Sequence, residues 1–225
     1  MLYNDHKHLE NESLAQPGRG RLITFEGIDG CGKSTQAVLA ARFLQEQGLT
    51  VLSVREPGGT TIGEAIRSIL LEKANTAMCM ETELLLFAAA RAQIIREAIE
   101  PALGRGTWVI CDRFYDSTTA YQGYGRGLDR AMIRQLQAIA TGGLQPDRTF
   151  FLDVTLPVAL GRLSSRTGKT DRLDQEGAAF MARTKEGYLD ILRDEPDRVV
   201  RIDADQTIQE ISTQIIRQLK GDLSL

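Results

Sequence analysis

Three observations in the sequence predict an α/β fold, a parallel sheet covered by helices on both faces. Five short apolar runs recur at wide intervals: Leu22 to Phe25, Val51 to Val54, Trp108 to Cys111, Phe150 to Leu152 and Val199 to Ile202. Each is too short for a helix and reads as a buried strand. Amphipathic stretches separate or follow them, including Glu81 to Glu100, Arg130 to Ala140, Pro157 to Ser165, Glu176 to Arg193 and Ile208 to Leu219. Residues able to do chemistry come directly after the runs, which is where a parallel sheet collects ligands.

Ahead of the first run, residues 1–20 are polar, carry Pro17-Gly18 and show no sustained period, so they read as a tail preceding a single domain over 21–225. His6 and His8, the only histidines, lie in that tail. The catalytic candidates therefore contain no histidine. The first run leads into Gly27-Ile28-Asp29-Gly30-Cys31-Gly32-Lys33-Ser34-Thr35, which fills every position of the P-loop pattern G-x-x-x-x-G-K-[ST]. Gly27 and Gly32 let the backbone curl so that successive N–H groups point at phosphate oxygens at the positive end of the following helix. Lys33 is placed to reach the β- and γ-phosphates and Ser34 to coordinate Mg²⁺. The motif implies binding of a nucleoside triphosphate, with ATP and Mg²⁺ as the expected pair. Cys31 is either a thiol sensitised by the helix N-terminus or simply a small loop residue.

The second run ends in Arg55-Glu56-Pro57-Gly58-Gly59-Thr60, a glycine-rich turn with a cation at its start. The third ends in Asp112-Arg113, offering a carboxylate for the metal beside a guanidinium for a phosphate. Asp153, at the end of the fourth, has the same look but is read as closing its own turn. The segment from about 162 to 174 carries Arg162, Arg166, Lys169 and Arg172 between glycines and reads as a lid. The P-loop's variable positions hold no cation, and phosphoryl transfer needs charge beyond Lys33 and Mg²⁺, so the lid arginines are the available donors.

Composition excludes several functions. The chain has 225 residues, 42% hydrophobic and 25% charged, and is long enough for one core burying roughly 70% of its unfolded surface. A net charge of −3 argues against tracking a nucleic-acid polymer. No apolar run approaches the roughly 18 residues of a membrane span and no secretory pattern opens the chain, so a cytoplasmic protein is expected. Cys31, Cys79 and Cys111 have no metal or disulfide spacing.

GIDGCGKST, REPGGT, LLFAAARAQ, DRFYDSTTAYQGYGRG and the DRLD of the lid, in that order from about Arg21 to Leu219, resemble the bacterial type of thymidylate kinase. The resemblance implies a P-loop NTPase fold on a five-stranded parallel sheet, transfer of the γ-phosphoryl of ATP to dTMP to give dTDP, and a homodimer. It also implies roles. Phe87 stacks on thymine, Arg91 donates to a base carbonyl, Thr118 bonds the base edge, and Tyr121 lies under the sugar with Gln122 beside it on the substrate side. Arg113 and Arg55 hold the acceptor phosphate, Asp29 lies near the 3′-hydroxyl, and Arg166 and Arg172 close over the transferring group. Phe87 and Arg91 lie four residues apart, so both project from one helical face. The lid departs from the family in its last residue, Asp174, and in one extra residue before Asp171, and Phe114 stands where a polar or hydroxylated aromatic is commoner. Other nucleoside-monophosphate or deoxynucleoside kinases share the scaffold, and a P-loop ATPase switch module with a macromolecular partner is a reading from a different class.

Overall fold

All five predicted runs are strands, and they pair in parallel in a single sheet of order β2-β3-β1-β4-β5. The computed structural model describes residues 18–165, 172–173 and 176–223. The strands are β1 Leu22–Glu26, β2 Val51–Arg55, β3 Trp108–Asp112, β4 Arg148–Asp153 and β5 Val199–Asp203. The chain leaves β1 toward β2, returns to β3, then crosses over β1 to reach β4. That reversal beside β1 is the topological switch point, where a crevice opens at the carboxyl ends of the strands. Register decides what meets there. Phe25 pairs with Asp112 and Asp112 with Arg55, so the ends of β1, β2 and β3 stand level.

Strand burial follows position in the sheet. Central β1 is buried throughout, and edge strand β2 is only partly covered. Alternation divides the core: Ile23, Phe25, Trp108 and Ile110 join one cluster, while Leu22, Val109 and Cys111 face Ile94, Ile95, Ile99 and Leu103 in another.

The helices are α1 Lys33–Glu46, α2 Thr61–Leu71, α3 Met80–Ile94, α4 Glu100–Gly104, α5 Tyr115–Thr118, α6 Arg130–Thr141, α7 Leu156–Ser164, α8 Ala178–Asp194 and α9 Ile208–Leu223. The stretch predicted over Glu81 to Glu100 is α3 running through a π-helical turn, Ile95–Ile99, into α4. A second π-helical turn, Thr119–Gly125, extends α5 and carries Tyr121 and Gln122. Such widened turns recur at functional sites because they re-aim side chains. Two helices went unread in the sequence: α2, capped by Thr60 Oγ1 accepting from the Gly63 N–H at 3.0 Å, and the single turn α5.

Two expectations need correcting. The tail was placed at residues 1–20; 1–17 lie outside the described residues, but Gly20 is buried and its N–H donates to the Leu103 carbonyl at 2.9 Å, with Arg19 3.6 Å from Asp147. The fold thus begins before Arg21. Asp153 does not close its own turn, because two cations claim it: Lys185 at 2.7 Å and Arg201 at 2.5 Å.

Behind the sheet, Arg198 and Asp116 form a buried two-pronged pair at 2.7 and 3.1 Å, and Arg198 also donates to Thr149 Oγ1 at 2.6 Å. Asp116 begins the segment that carries Thr118 and Tyr121, so the pair ties that segment to β4 and β5. Removing one partner strands a buried charge, which costs about 3–5 kcal/mol. Asp116→Ala is expected to lower the unfolding free energy measured in urea by that amount, and a change under about 1 kcal/mol would show that Arg198 finds solvent or another partner.

Candidate active site

The turn after β1 has the geometry that the glycines predicted. Gly27 has φ of 144°, and a Cβ there would lie 2.8 Å from both the Leu152 carbonyl oxygen and Cys31 Sγ. Gly30 has φ of 83°, and its Cβ would be 2.5 Å from the Ala159 carbonyl oxygen on α7. Any side chain at either position would push the loop off its neighbours. Gly32, at φ of 95°, starts α1 without a side-chain cap, so the first N–H groups of α1 stay open to an anion. Asp29 to Thr35 border the cavity described below, whereas the Ile28 side chain is packed into the core.

Ser34 and Asp112 meet as the β1–β3 register requires. The Ser34 hydroxyl donates to Asp112 Oδ2, and Asp112 Oδ1 is buried with no partner among the described residues. A buried carboxylate oxygen without a partner is costly. A hard divalent cation bound between this oxygen, the Ser34 hydroxyl and phosphate oxygens would satisfy it, so the donor set fits Mg²⁺.

The waist of the site is a cluster built on Asp29. Its carboxylate takes Arg113 Nη2 at 2.6 Å, the Tyr121 hydroxyl at 2.8 Å and Lys33 Nζ at 3.3 Å. Burial by itself would raise the Asp29 carboxyl, but Arg113 and Lys33 outweigh it and hold the group well below the usual carboxylate range. Asp29 is therefore an anion that aims two cations. Arg113 has φ of 70°, a left-handed conformation rare for a residue with a side chain. Its guanidinium also donates to the Gly27 carbonyl at 3.2 Å and to Ser117 Oγ at 3.0 Å.

Glu26 holds that turn, and no motif in the sequence pointed to it. Fully buried at the end of β1, it accepts from the Phe114 N–H at 2.6 Å, Ser117 Oγ at 2.6 Å and the Tyr188 hydroxyl at 2.9 Å. Burial, reinforced by Asp116, pushes its carboxyl up to about 7.

Toward the far wall, Arg55, Phe87, Thr118, Tyr121 and Gln122 border one cavity of about 810 Å³ together with the P-loop and Arg113. Arg55 is held by the Pro57 carbonyl at 2.9 Å and Glu64 at 3.0 Å. Arg67 on α2 also borders the cavity and donates to the Pro57 carbonyl at 2.9 Å; it was missed because α2 was missed. The opposite end of the cavity is bordered by Gln36, Arg162, Gln206, Thr207 and Ile208. The rule that ligands gather at strand ends would have pointed to the loop after β5, although no motif marks it. Of the lid-segment cations among the described residues, Arg162 reaches this region, donating to the Gln206 carbonyl at 3.1 Å.

Two residues expected at the site are engaged elsewhere, and the open reading of Cys31 is decided. Arg91 does not border the cavity. Buried at 1% exposure, it donates to Glu56 at 2.8 Å, Thr118 Oγ1 at 3.0 Å and the Phe114 carbonyl at 3.1 Å, because an enclosed guanidinium must spend its donors on protein acceptors. Arg172 does not face the P-loop either: it binds Glu83 at 2.6 Å and the Leu70 carbonyl at 3.0 Å, drawn by a carboxylate only 2% exposed. Arg166 and Lys169 lie outside the described residues. Cys31 is not a sensitised thiol, since burial raises it above its ordinary value and outweighs the pull of Lys33. Cys111 is likewise buried, and Cys79 is the exposed member of the three.

A phosphate-cradling turn at the middle of a long cavity, with an aromatic wall at one end and a second polar end beyond α1, accommodates two nucleotides meeting at their phosphates. The fold and site thus define an ATP-dependent nucleoside monophosphate kinase of the P-loop class. The family model for thymidylate kinase matches residues 25–215. A thymidylate kinase of Chlorobium luteolum is 49% identical over 206 residues, covering 88% of this chain and 96% of that protein. One from a Nostoc species is 46% identical, covering 88% and 98%. The crystal structure of thymidylate kinase from Ehrlichia chaffeensis superposes with a TM-score of 0.73 at 36% identity, covering 91% and 99% of the two chains. This chain belongs to the thymidylate kinase family.

The raised Glu26 carboxyl has a signed consequence. Its value in the fold lies above that of an ordinary glutamate, so its contribution to stability is complete below the ordinary carboxylate range and is lost as pH rises toward about 7. In Glu26→Gln this loss is absent. Urea midpoints of the two proteins are expected to converge at acid pH and separate between pH 5 and 7, and parallel curves would place the titration elsewhere.

Proposed function

We infer that the protein transfers the γ-phosphoryl of ATP to dTMP, giving dTDP and ADP, by in-line displacement with no covalent enzyme intermediate. One observation carries this reading: the continuous cavity that passes from Gln206 and Thr207, along the P-loop, past Arg113 to Phe87 and Gln122. Its first end takes the base of ATP and its second takes dTMP, so the two phosphate groups meet over Asp29 and Lys33. The dTMP phosphate is the nucleophile and already an anion, so a strong general base is unnecessary. Positioning and electrostatics supply the rate.

The roles proposed here are those that the family resemblance implies, and the geometry of the cavity supports them. Arg113 and Arg55 hold the acceptor phosphate, with Arg113 aimed by Asp29 and by the Glu26 clamp on its turn. Asp29 lies near the 3′-hydroxyl of the acceptor sugar. Tyr121, fixed by Asp29, packs against the sugar and excludes a 2′-hydroxyl, while Phe87 stacks on the base for on the order of 1–3 kcal/mol. Lys33 and Arg162 face the donor phosphates, and Arg166 is proposed to close over the transferring group. Ser34 and Asp112 would hold Mg²⁺, which when bound neutralises charge on the phosphates.

A homodimer is part of the same reading. Exposed Ile69, Leu85 and Ile139 lie on α2, α3 and α6, helices that pack side by side. Among the described residues no helix is long and apolar enough to cross a membrane. The compartment we propose is the cytoplasm, which suits the free thiols.

The test is ADP formation from ATP and Mg²⁺ with a panel of acceptors. Turnover is expected to be strongest with dTMP. With dUMP it should be weaker by roughly 10–200-fold, because one methyl distinguishes the bases. The ribose form of TMP should be nearly inactive, and Lys33→Ala should be inactive with all of them. Hydrolysis that ignores the acceptor would overturn the reading. A second expectation concerns Asp112→Ala, which should raise the Mg²⁺ concentration needed for half-maximal rate by tenfold or more; an unchanged requirement would remove Asp112 from the metal site.

A further inference from the structure

Arg113 is also held by a side chain that does not border the cavity. Tyr188, on α8, is 2% exposed, and no residue of that helix lines the main cavity. Its hydroxyl stands 2.9 Å from Ser117 Oγ and 2.9 Å from Glu26 Oε2, and Ser117 Oγ is 2.6 Å from the same carboxylate oxygen. Three oxygens thus lie pairwise within hydrogen-bond reach. Arg113 Nη1 lies against two of them, 3.0 Å from Ser117 Oγ and 3.4 Å from the Tyr188 hydroxyl. A guanidinium can only donate, so both hydroxyls must meet it with lone pairs and send their protons elsewhere. The Glu26 carboxylate takes them. When Glu26 is protonated, its own proton goes to one hydroxyl, and the three oxygens close a ring that still leaves each hydroxyl a lone pair for Arg113. This support therefore survives titration of Glu26.

Packing fixes where that hydroxyl stands. The Tyr188 ring stacks on Phe151 of β4, with centroids 5.2 Å apart, and meets Tyr121 edge-on at 6.5 Å. One residue earlier, α8 passes close against the π-helical turn: a Cβ on Gly187 would lie 2.9 Å from the Ala120 Cα and 2.8 Å from the Tyr124 ring. The helix is therefore seated at one depth against the turn that carries Tyr121. Asp29 and the Tyr121 hydroxyl grip the other terminal nitrogen of Arg113, Nη2, at 2.6 and 3.0 Å. A guanidinium gripped at one nitrogen can still swing, whereas a grip on both fixes its plane. We propose that Tyr188 is a positioning residue for the acceptor phosphate, acting with Ser117 and Glu26 to hold the Arg113 guanidinium in the plane that meets that phosphate. This rests on the dTMP-kinase reading above and extends the support of the site to α8.

The variant that removes only the hydroxyl is Tyr188→Phe, which keeps the ring on Phe151. kcat and KM are measured for dTMP and for ATP, in the wild-type and Arg113→Lys backgrounds, beside thermal melts. In the wild-type background KM for dTMP is expected to rise about fivefold or more, while KM for ATP stays within about twofold. Lysine cannot span the two grips. In Arg113→Lys, adding Tyr188→Phe should therefore change kcat/KM for dTMP by less than about twofold. An equal loss in both backgrounds, or KM for dTMP and ATP rising together, would mark a tyrosine that merely packs α8, and either result overturns the proposal. So does an unchanged KM for dTMP. Should Tyr188→Phe fail to fold, Ser117→Ala breaks the same chain one link nearer to Arg113. It is expected to show the same selective loss for dTMP, absorbed by Arg113→Lys, and a loss that is absent or not absorbed overturns the assignment. Wild-type protein that phosphorylates no nucleotide acceptor would instead refute the kinase reading on which this rests.

Discussion

Everything in the site depends on two parallel strands ending side by side. Because β1 and β3 pair with Phe25 opposite Asp112, the loop that cradles phosphate and the loop that carries Asp112 and Arg113 emerge level and adjacent. A shift by one residue would turn Asp112 to the other face of the sheet and part it from Ser34. The buried alternation of Ile23 and Phe25 on one face and Leu22 on the other resists that shift with the whole core, so the chemistry inherits its precision from hydrophobic packing.

Around this junction the protein arranges charge before any ligand arrives. Asp29 gathers Lys33, Arg113 and the Tyr121 hydroxyl, and Glu26 pins the left-handed turn from which Arg113 projects. Buried ions behind the cavity hold the side chains that line it in fixed orientations. This is preorganisation: reorientation that water would have to perform during the reaction has been completed during folding. The burden falls on stability, since buried charges such as Glu26 and Glu56 are disfavoured by desolvation.

What could be read in advance was local. The five strands and the P-loop turn follow from short patterns, and strands and turn lie at those residues, with Ser34 and Asp112 in contact. Arg91 and Arg172 could not be understood from their own neighbourhoods, because what claims them is distant in sequence: Glu56 lies 35 residues from Arg91, and Glu83 lies 89 from Arg172. Glu26 and Glu83 were passed over for the same reason. A carboxylate in a strand or amphipathic helix looks ordinary until the fold buries it among donors from other elements. The loop after β5 shows a different limit, since Gln206 and Thr207 meet the cavity mainly through where the sheet places them, a property that no short motif encodes.

The unequal exposure of the three cysteines has a practical side. Cys31 and Cys111 are sealed in the core, whereas Cys79 is open at the first turn of α3, its sulfur 3.1 Å from Thr82 Oγ1. The same helix carries Phe87 to the cavity and buries Glu83 and Arg91 behind it. A thiol-directed fluorophore would therefore attach at one position on the untouched native chain, at the start of the helix that carries Phe87 to the cavity. No cysteine need be removed first: the molecule comes with a single accessible optical handle at that helix start.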